Sequence, residues 1–379
     1  MIKIAIAGDY VPKNRITTLI NEKGYEKVFG EIRTLNEAMD YRIVNLECPI
    51  VEGEASSINK VGPTICCREC DIKLLKYGLF DGVTLANNHF YDYGEQGVKN
   101  TLDALTAQGI DYVGGGRNIK EASATLYKSF HGETLAIVNC CEHEFSIANE
   151  NNGGSNPLDP ISQYYAIVEA REKADHVIVI IHGGVEKYWH PTPRMRQTYR
   201  FFIDIGADAV INHHQHRYCG MEIYKAKPIF YGLGNFCFDL PWYRQNSWNK
   251  GYMVILQLEG EQTKYQVKPY IQCSETPDVR FLQGEKEEKF FEHFQKLSDT
   301  LTDDKELMQA FQCLVDGKSD GLSTLLTPYS SKRAKWLYQK GLLPSLYPKK
   351  KWLSLLNMVE CESHRERLIH FIKNRINRE

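Results

Sequence analysis

No stretch of this 379-residue chain approaches the roughly 18 consecutive apolar residues that a membrane-crossing helix needs. The N-terminal run Ile2-Lys3-Ile4-Ala5-Ile6-Ala7 is too short for the apolar core of an export signal and leads directly into Gly8-Asp9. It reads as a first core strand, so the expected location is the cytoplasm, with peripheral attachment at the inner membrane face as the alternative. Charge of one sign is also lacking: the net charge is −2 and the pI is near 6.6, a balance that argues against a nucleic-acid partner. No Gly-x-Ser-x-Gly elbow points to serine hydrolysis. Gly114-Gly115-Gly116-Arg117 has neither the spacing of a dinucleotide loop nor the Lys-Ser/Thr of a P-loop, and reads as a tight turn. The 11 cysteines form no evenly paired framework and are expected to be reduced and mostly buried. Their one cluster, Cys66-Cys67 with Cys70, has zinc-like spacing but no second ligand pair downstream.

What the chain does have is alternation. Short apolar runs at 2–7, 42–46, 81–85, 110–113, 134–139, 176–181, 208–212 and 228–231 read as buried strands. Helical stretches such as 95–108, 159–174 and 194–206 lie between them, which indicates an α/β fold. A strand pair at 251–258 and 264–271 closes the sheet region, giving an expected domain at 1–272 and a helical, basic extension at 273–379. Near the C-terminus Lys332, Arg333, Lys335, Lys349, Lys350 and Lys351 interleave with Trp336, Tyr338, Tyr347 and Trp352, followed by a basic helix around 361–378. A solvated helical cap is the first reading of this tail, and contact with an anionic membrane surface or polymer is the second.

The unusual polar residues sit at strand ends, where α/β folds place their chemistry. The segment from Ala207 to Ile211 drives a strand into Asn212-His213-His214-Gln215-His216. In an extended backbone His214 and His216 would face one space, able to share one ion or to take one each of a pair. Asp9, Glu47, Asn87-Asn88-His89 and His182 close earlier strands. Together they offer carboxylate, amide and imidazole donors from one predicted sheet region.

Ala7-Gly8-Asp9, Asn45-Leu46-Glu47, Ala86-Asn87-Asn88-His89 with Asp92-Tyr93-Gly94, His182-Gly183-Gly184-Val185-Glu186, the His214-x-His216 pair and Tyr231-Gly232-Leu233-Gly234-Asn235-Phe236 resemble, in order and spacing, the CapA family. These are bacterial capsule and poly-γ-glutamate synthesis proteins of the calcineurin-like metallophosphoesterase superfamily. The resemblance spans about residues 1–240 and does not reach the helical tail. It implies a four-layer α/β/β/α sandwich with one or two divalent transition metal ions, Mn, Zn or Fe, at the strand ends. It makes Asp9, Glu47, Asn88, His182, His214 and His216 the implied ligands and His89 the group that protonates a leaving oxygen. His213 is then a bystander. Glu186 and Asn235 become further ligands or substrate contacts, and Lys60, His143 and Glu144 candidate cleft residues. Two departures stand out: Val11 occupies the place of the histidine in the Asp-x-His with which phosphoesterases of this fold usually begin, and Glu47 replaces the usual bridging Asp, differences that the CapA family shares.

The function these features lead to is metal-dependent hydrolysis of a phosphorylated or polyanionic intermediate in cell-surface polymer synthesis. Two alternatives keep the same metal pocket. One is a non-catalytic accessory subunit that binds an anionic polymer or lipid-linked precursor beside biosynthetic partner proteins; the other is a γ-glutamyl amide hydrolase.

Overall fold

The computed structural model describes residues 1–244, 246–317, 329, 331–346 and 348–360, together with Leu368, Ile369, Ile372 and Ile376. The chain opens with β1 (Ile2–Val11), α1 (Arg15–Asn21), α2 (Tyr25–Asn36), β2 (Tyr41–Leu46), α3 (Ile72–Tyr77), β3 (Gly82–Thr84), α4 (Gly94–Ala107) and β4 (Asp111–Val113). It continues with β5 (Gly115–Gly116), α5 (Ile119–Ala122), β6 (Leu126–Phe130), β7 (Glu133–Cys141), β8 (Gly154–Ser155), α6 (Pro160–Lys173), β9 (His176–His182), α7 (Pro193–Asp204) and β10 (Ala209–His213). There follow β11 (Met221–Tyr224), β12 (Lys227–Phe230), β13 (Asn235–Phe238), β14 (Lys250–Glu259), β15 (Gln262–Gln272), β16 (Val279–Phe281), α8 (Glu285–Thr302) and α9 (Asp304–Gly317).

Two mixed sheets result. The first has the order β16-β15-β14-β1-β2-β3-β4, with β13 paired to the end of β1; the second runs β11-β12-β10-β9-β7-β6. The apolar runs are unbroken because both faces of each central strand are covered. On β9, Ile178 and Ile180 pack between the sheets against Ile4, Ile6 and Ile211, whereas Val177, Val179 and Ile181 pack outward against Ile167, Tyr199 and Phe202 of α6 and α7. On the far side, Ala5, Ala7 and Val44 pack against Val28, Ile32, Leu75 and Leu102 of α2, α3 and α4. Three apolar interfaces separate four layers in the order α/β/β/α, as expected. At least four strands escape the apolar pattern, namely β6, β11, β13 and β16, because they are short or alternate between buried and exposed residues.

The first compact unit runs from Met1 to Phe311, and the expected division at 272/273 falls inside it. The reason is packing beyond β15. Val279 of β16 pairs with Gln272, and Phe290, Phe294 and Leu297 of the amphipathic α8 join the core between the sheets. The second unit, Gln312–Glu379, contains α10 (Lys332–Gln339), capped by the Ser331 hydroxyl accepting from the Ala334 amide at 3.1 Å, and α11 (Lys349–Glu360). Most of the basic helix expected at 361–378, like Tyr347, lies outside the described residues. Among the described residues no helix is long and apolar enough to cross a membrane.

Candidate metal centre

Strand geometry aims the first carboxylate. β1 pairs with β2 in step as far as Ala7 opposite Val44 and resumes at Asp9 opposite Asn45, which leaves Gly8 as an extra residue. A bulge of this kind turns the following side chain out of the regular alternation. Only glycine fits there, since a Cβ on Gly8 would stand 1.9 Å from the carbonyl oxygen of Gly234. The redirected Asp9 accepts a hydrogen bond from Asn45 Nδ2 at 2.7 Å through Oδ1, and its Oδ2 is buried without a hydrogen-bond partner. Both oxygens of the fully buried Glu47, just past β2, are likewise unpartnered.

Two donor groups meet at Glu47. In the first, His182 Nε2 lies 3.3 Å from Glu47 Oε1, 3.0 Å from His214 Nδ1 and 3.1 Å from Asn88 Oδ1. In the second, His216 Nδ1 lies 3.7 Å from Asp9 Oδ2, 3.9 Å from Glu47 Oε2 and 2.9 Å from Asn235 Oδ1. Donors around a tetrahedral ion with bonds of about 2.0–2.1 Å stand about 3.3 Å apart, so both groups are spaced to hold an ion. The triads Glu47–His182–His214 and Asp9–Glu47–His216 could each bind one metal, with Glu47 shared.

The two histidines of the His-x-His pair therefore part company. β10 ends at His213, and His214 and His216 both take positive φ, 98° and 56°, so the extended alternation expected of them does not apply. Non-glycine residues adopt this region at a cost that surrounding structure must sustain, and it recurs at functional sites. The ring of His216 is held by Trp248, 4.6 Å away between centroids, and by Phe238. Val11 packs among the apolar side chains under the helices and supplies no donor.

Electrostatics follow from burial. Burial, and then the neighbouring charge of Glu47, raise the Asp9 carboxyl well above its ordinary range; burial also raises Glu47. Burial holds His182 and His214 well below the usual imidazole range, and it takes His213 down to about 3. The imidazoles are thus neutral, the form that ligates metals. His213 points its Nδ1 toward Asp9 Oδ1 at 3.8 Å, outside both donor groups.

His89 lies at the edge of the centre. Its Nδ1 is 2.7 Å from Asp92 Oδ2, and Lys60 Nζ pairs with the other oxygen of Asp92 and sits 3.2 Å from the same ring nitrogen. Lys60 is buried, and its charge is directed at Asp92 rather than at open cleft. Glu144 does reach the centre, with Oε2 3.3 Å from Asn88 Nδ2 and Oε1 3.7 Å from His214 Nε2. Glu186 and His143 are exposed, and neither belongs to a donor group. Cys66, Cys67 and Cys70 are free thiols and form no metal-holding group among the described residues.

Residues 3–240 match the family described as bacterial capsule synthesis protein PGA_cap. The chain belongs to this family. It is 30% identical over 251 residues to a capsule biosynthesis protein CapA of Bacillus anthracis, covering 64% of this chain and 61% of that protein. It is 32% identical over 247 residues to a PGA biosynthesis protein CapA of Bacillus subtilis, covering 64% and 65%. The matched part thus spans less than two thirds of the length of these relatives. Among solved structures, a phosphatase of Mycoplasma pneumoniae superposes with a TM-score of 0.44 at 13% identity, covering 71% of this chain and 93% of that one.

Three contributors to the centre, two of them within the family motifs, have no assigned role from sequence alone. Asn45 donates to Asp9 and lies 3.2 Å from His182 Nδ1, while Thr84 and Asn87 donate to its own oxygen. Its signal was its place two residues before Glu47. Asp92, three residues after His89, orients that ring across one turn. Trp248 gave no signal, because it arrives from a segment distant in sequence.

Proposed function

We propose that this chain is a metal-dependent hydrolase of the phosphoesterase type, acting on a phosphorylated or polyanionic intermediate of capsule or poly-γ-glutamate synthesis. The observation that carries the proposal is the set of three buried, unpartnered carboxylate oxygens, Asp9 Oδ2 and Glu47 Oε1 and Oε2, beside the imidazoles of His182, His214 and His216. Buried carboxylates without partners are costly, and one or two divalent ions such as Mn, Zn or Fe would compensate them. Such an ion, held by Asp9, Glu47, His182, His214 and His216, would supply Lewis-acid chemistry toward a phosphoryl group. The chain supplies the rest. Asn88 offers a neutral donor that adds no charge against an anionic substrate. Asp92 accepts the Nδ1 proton of His89 and so fixes the ring, and when the ring carries a second proton on Nε2 it is that nitrogen that would hand it to the leaving oxygen.

The test is metal content together with turnover of a panel of phosphomonoesters and phosphodiesters. Bound transition metal, lost in Asp9→Ala and His214→Ala together with turnover, is the expected result. Protein that takes up no metal and turns over no ester defeats the proposal. Val11 favours a second reading, a non-catalytic subunit binding an anionic polymer, because it withholds an imidazole from the Asp9 group. Equal polymer binding by wild type and His89→Ala, with no reaction by either, would select it. Release of glutamate from poly-γ-glutamate would select amide cleavage instead.

A further inference from the structure

Helix α7 carries three arginines with different duties. Arg196 donates to the Leu301 carbonyl at 2.8 Å and pairs with Asp304, and Arg200 pairs with Glu222 at 2.6 Å. Arg194, in the first turn, makes no hydrogen bond or ion pair among the described residues, and its charge is felt by the Glu142 carboxyl, which burial raises and Arg194 acts to lower. Arg194 instead lines a cleft of about 280 Å³ with His143, Thr198 and Glu142, over a floor that includes Met195 and Tyr199. The cleft adjoins the metal centre through one short segment. Glu142 accepts from the Gly184 amide at 3.0 Å, two residues past His182, and Glu144 contacts Asn88.

We infer that this cleft is a subsite for a second acid group of the substrate, a carboxylate or phosphate carried beyond the group that meets the metal centre. A guanidinium offers forked donors matched to either oxyanion, and His143 and Thr198 add donors on the same rim. The volume lies near the lower end of ligand pockets, about 300 Å³, which suits one acid group on a short linker. The subsite would make the protein selective for chains with repeated negative charge over isolated esters. This inference rests on the proposed function for the identity of the neighbouring centre.

The experiment is equilibrium binding of two probes, a γ-linked glutamate pentamer and a glycerol phosphate trimer, to the full chain with and without metal. Arg194→Ala and Arg194→Glu are compared with wild type, and metal content is measured on each. Arg194→Ala is expected to weaken one probe about tenfold, with Arg194→Glu weaker still and metal content unchanged. The probe affected identifies the acid group. Both variants binding both probes as tightly as wild type, or wild type binding neither, overturns the inference. Binding that depends on Arg194 but not on metal would sustain the subsite while defeating the metal-centred reading.

Discussion

Replacing Glu47 by Gln is expected to stabilise the protein without metal and to destabilise it, relative to wild type, with metal. Without an ion, both oxygens of Glu47 are buried and unpartnered, and the charge also opposes that of Asp9. A buried unsatisfied polar atom costs about 1–3 kcal/mol, and more when charged. Gln keeps the shape and removes the charge, so a gain of about 2 kcal/mol is expected, or about 4 °C in Tm at roughly 2 °C per kcal/mol for a unit of this size. The sign with pH is definite. Burial raises Glu47 above its ordinary 4.5, so the folded state keeps a proton that the unfolded state releases. Wild-type stability therefore falls as pH rises from 4.5 toward the folded value. His182 and His214 contribute the opposite slope below 6.5, so the comparison belongs above pH 7. Metal at 100 times its Kd adds about 2.7 kcal/mol to wild type, and the variant, missing the shared carboxylate, gains little. Thermal melts at pH 8 in chelator and in Mn²⁺ or Zn²⁺ should show the two proteins exchanging order. A variant that melts below wild type in chelator would refute the claim that these carboxylates await a cation.

Three other substitutions, with Gly30→Ala as a control, test the frame. Asn45→Ala frees Asp9 Oδ1 and is expected to lower metal affinity about 10- to 100-fold with the fold intact, as titration with a metal indicator would show. Gly8→Ala forces a Cβ against the Gly234 carbonyl and should cost about 3 kcal/mol along with metal binding, whereas Gly30→Ala on α2, whose Cβ would meet only the Glu26 side chain at an ordinary 3.7 Å, should be neutral or stabilising in the same melts. Burial pushes Asp239 up, but hydrogen bonds from Arg15 and Arg244 outweigh it and hold the carboxyl below 3.8. Its contribution is present above 3.8 and lost as pH falls through the folded value, so Asp239→Asn should cost about 3 kcal/mol at pH 7 and flatten the acid limb of a pH–stability curve.

The sheet strands were legible because each central run is covered on both faces. Val177 to Ile181 and Ala209 to Ile211 are unbroken apolar stretches for that reason, Ile2 to Ala7 is interrupted only at Lys3, and each observed strand begins or ends within a few residues of its expected limit. The tail was harder to divide. α8 is strongly charged outside, so its sequence reads as an appendage, yet Phe290, Phe294 and Leu297 on one face close the core between the sheets. Residues whose work depends on backbone path were not legible at all. Trp248 supports His216 from a connection with no motif, and the orientation of Lys60 toward Asp92 depends on how the segment before Ile65 is tied to that carboxylate.

The His-x-His pair shows why residue type was readable and role was not. Spacing by two predicts a shared face only while the backbone stays extended, and here the strand stops at His213. Positive φ at His214 and again at His216 sends the first ring to His182 and the second to Asn235 and Asp9. On the opposite sheet, the extra residue at Gly8 does the same for Asp9. Both departures from regular strand geometry converge on the two oxygens of Glu47, which has two separate donor groups to span. The Asp9 group contains one imidazole, His216, against the two of the His182 group, so it leans more heavily on the shared Glu47.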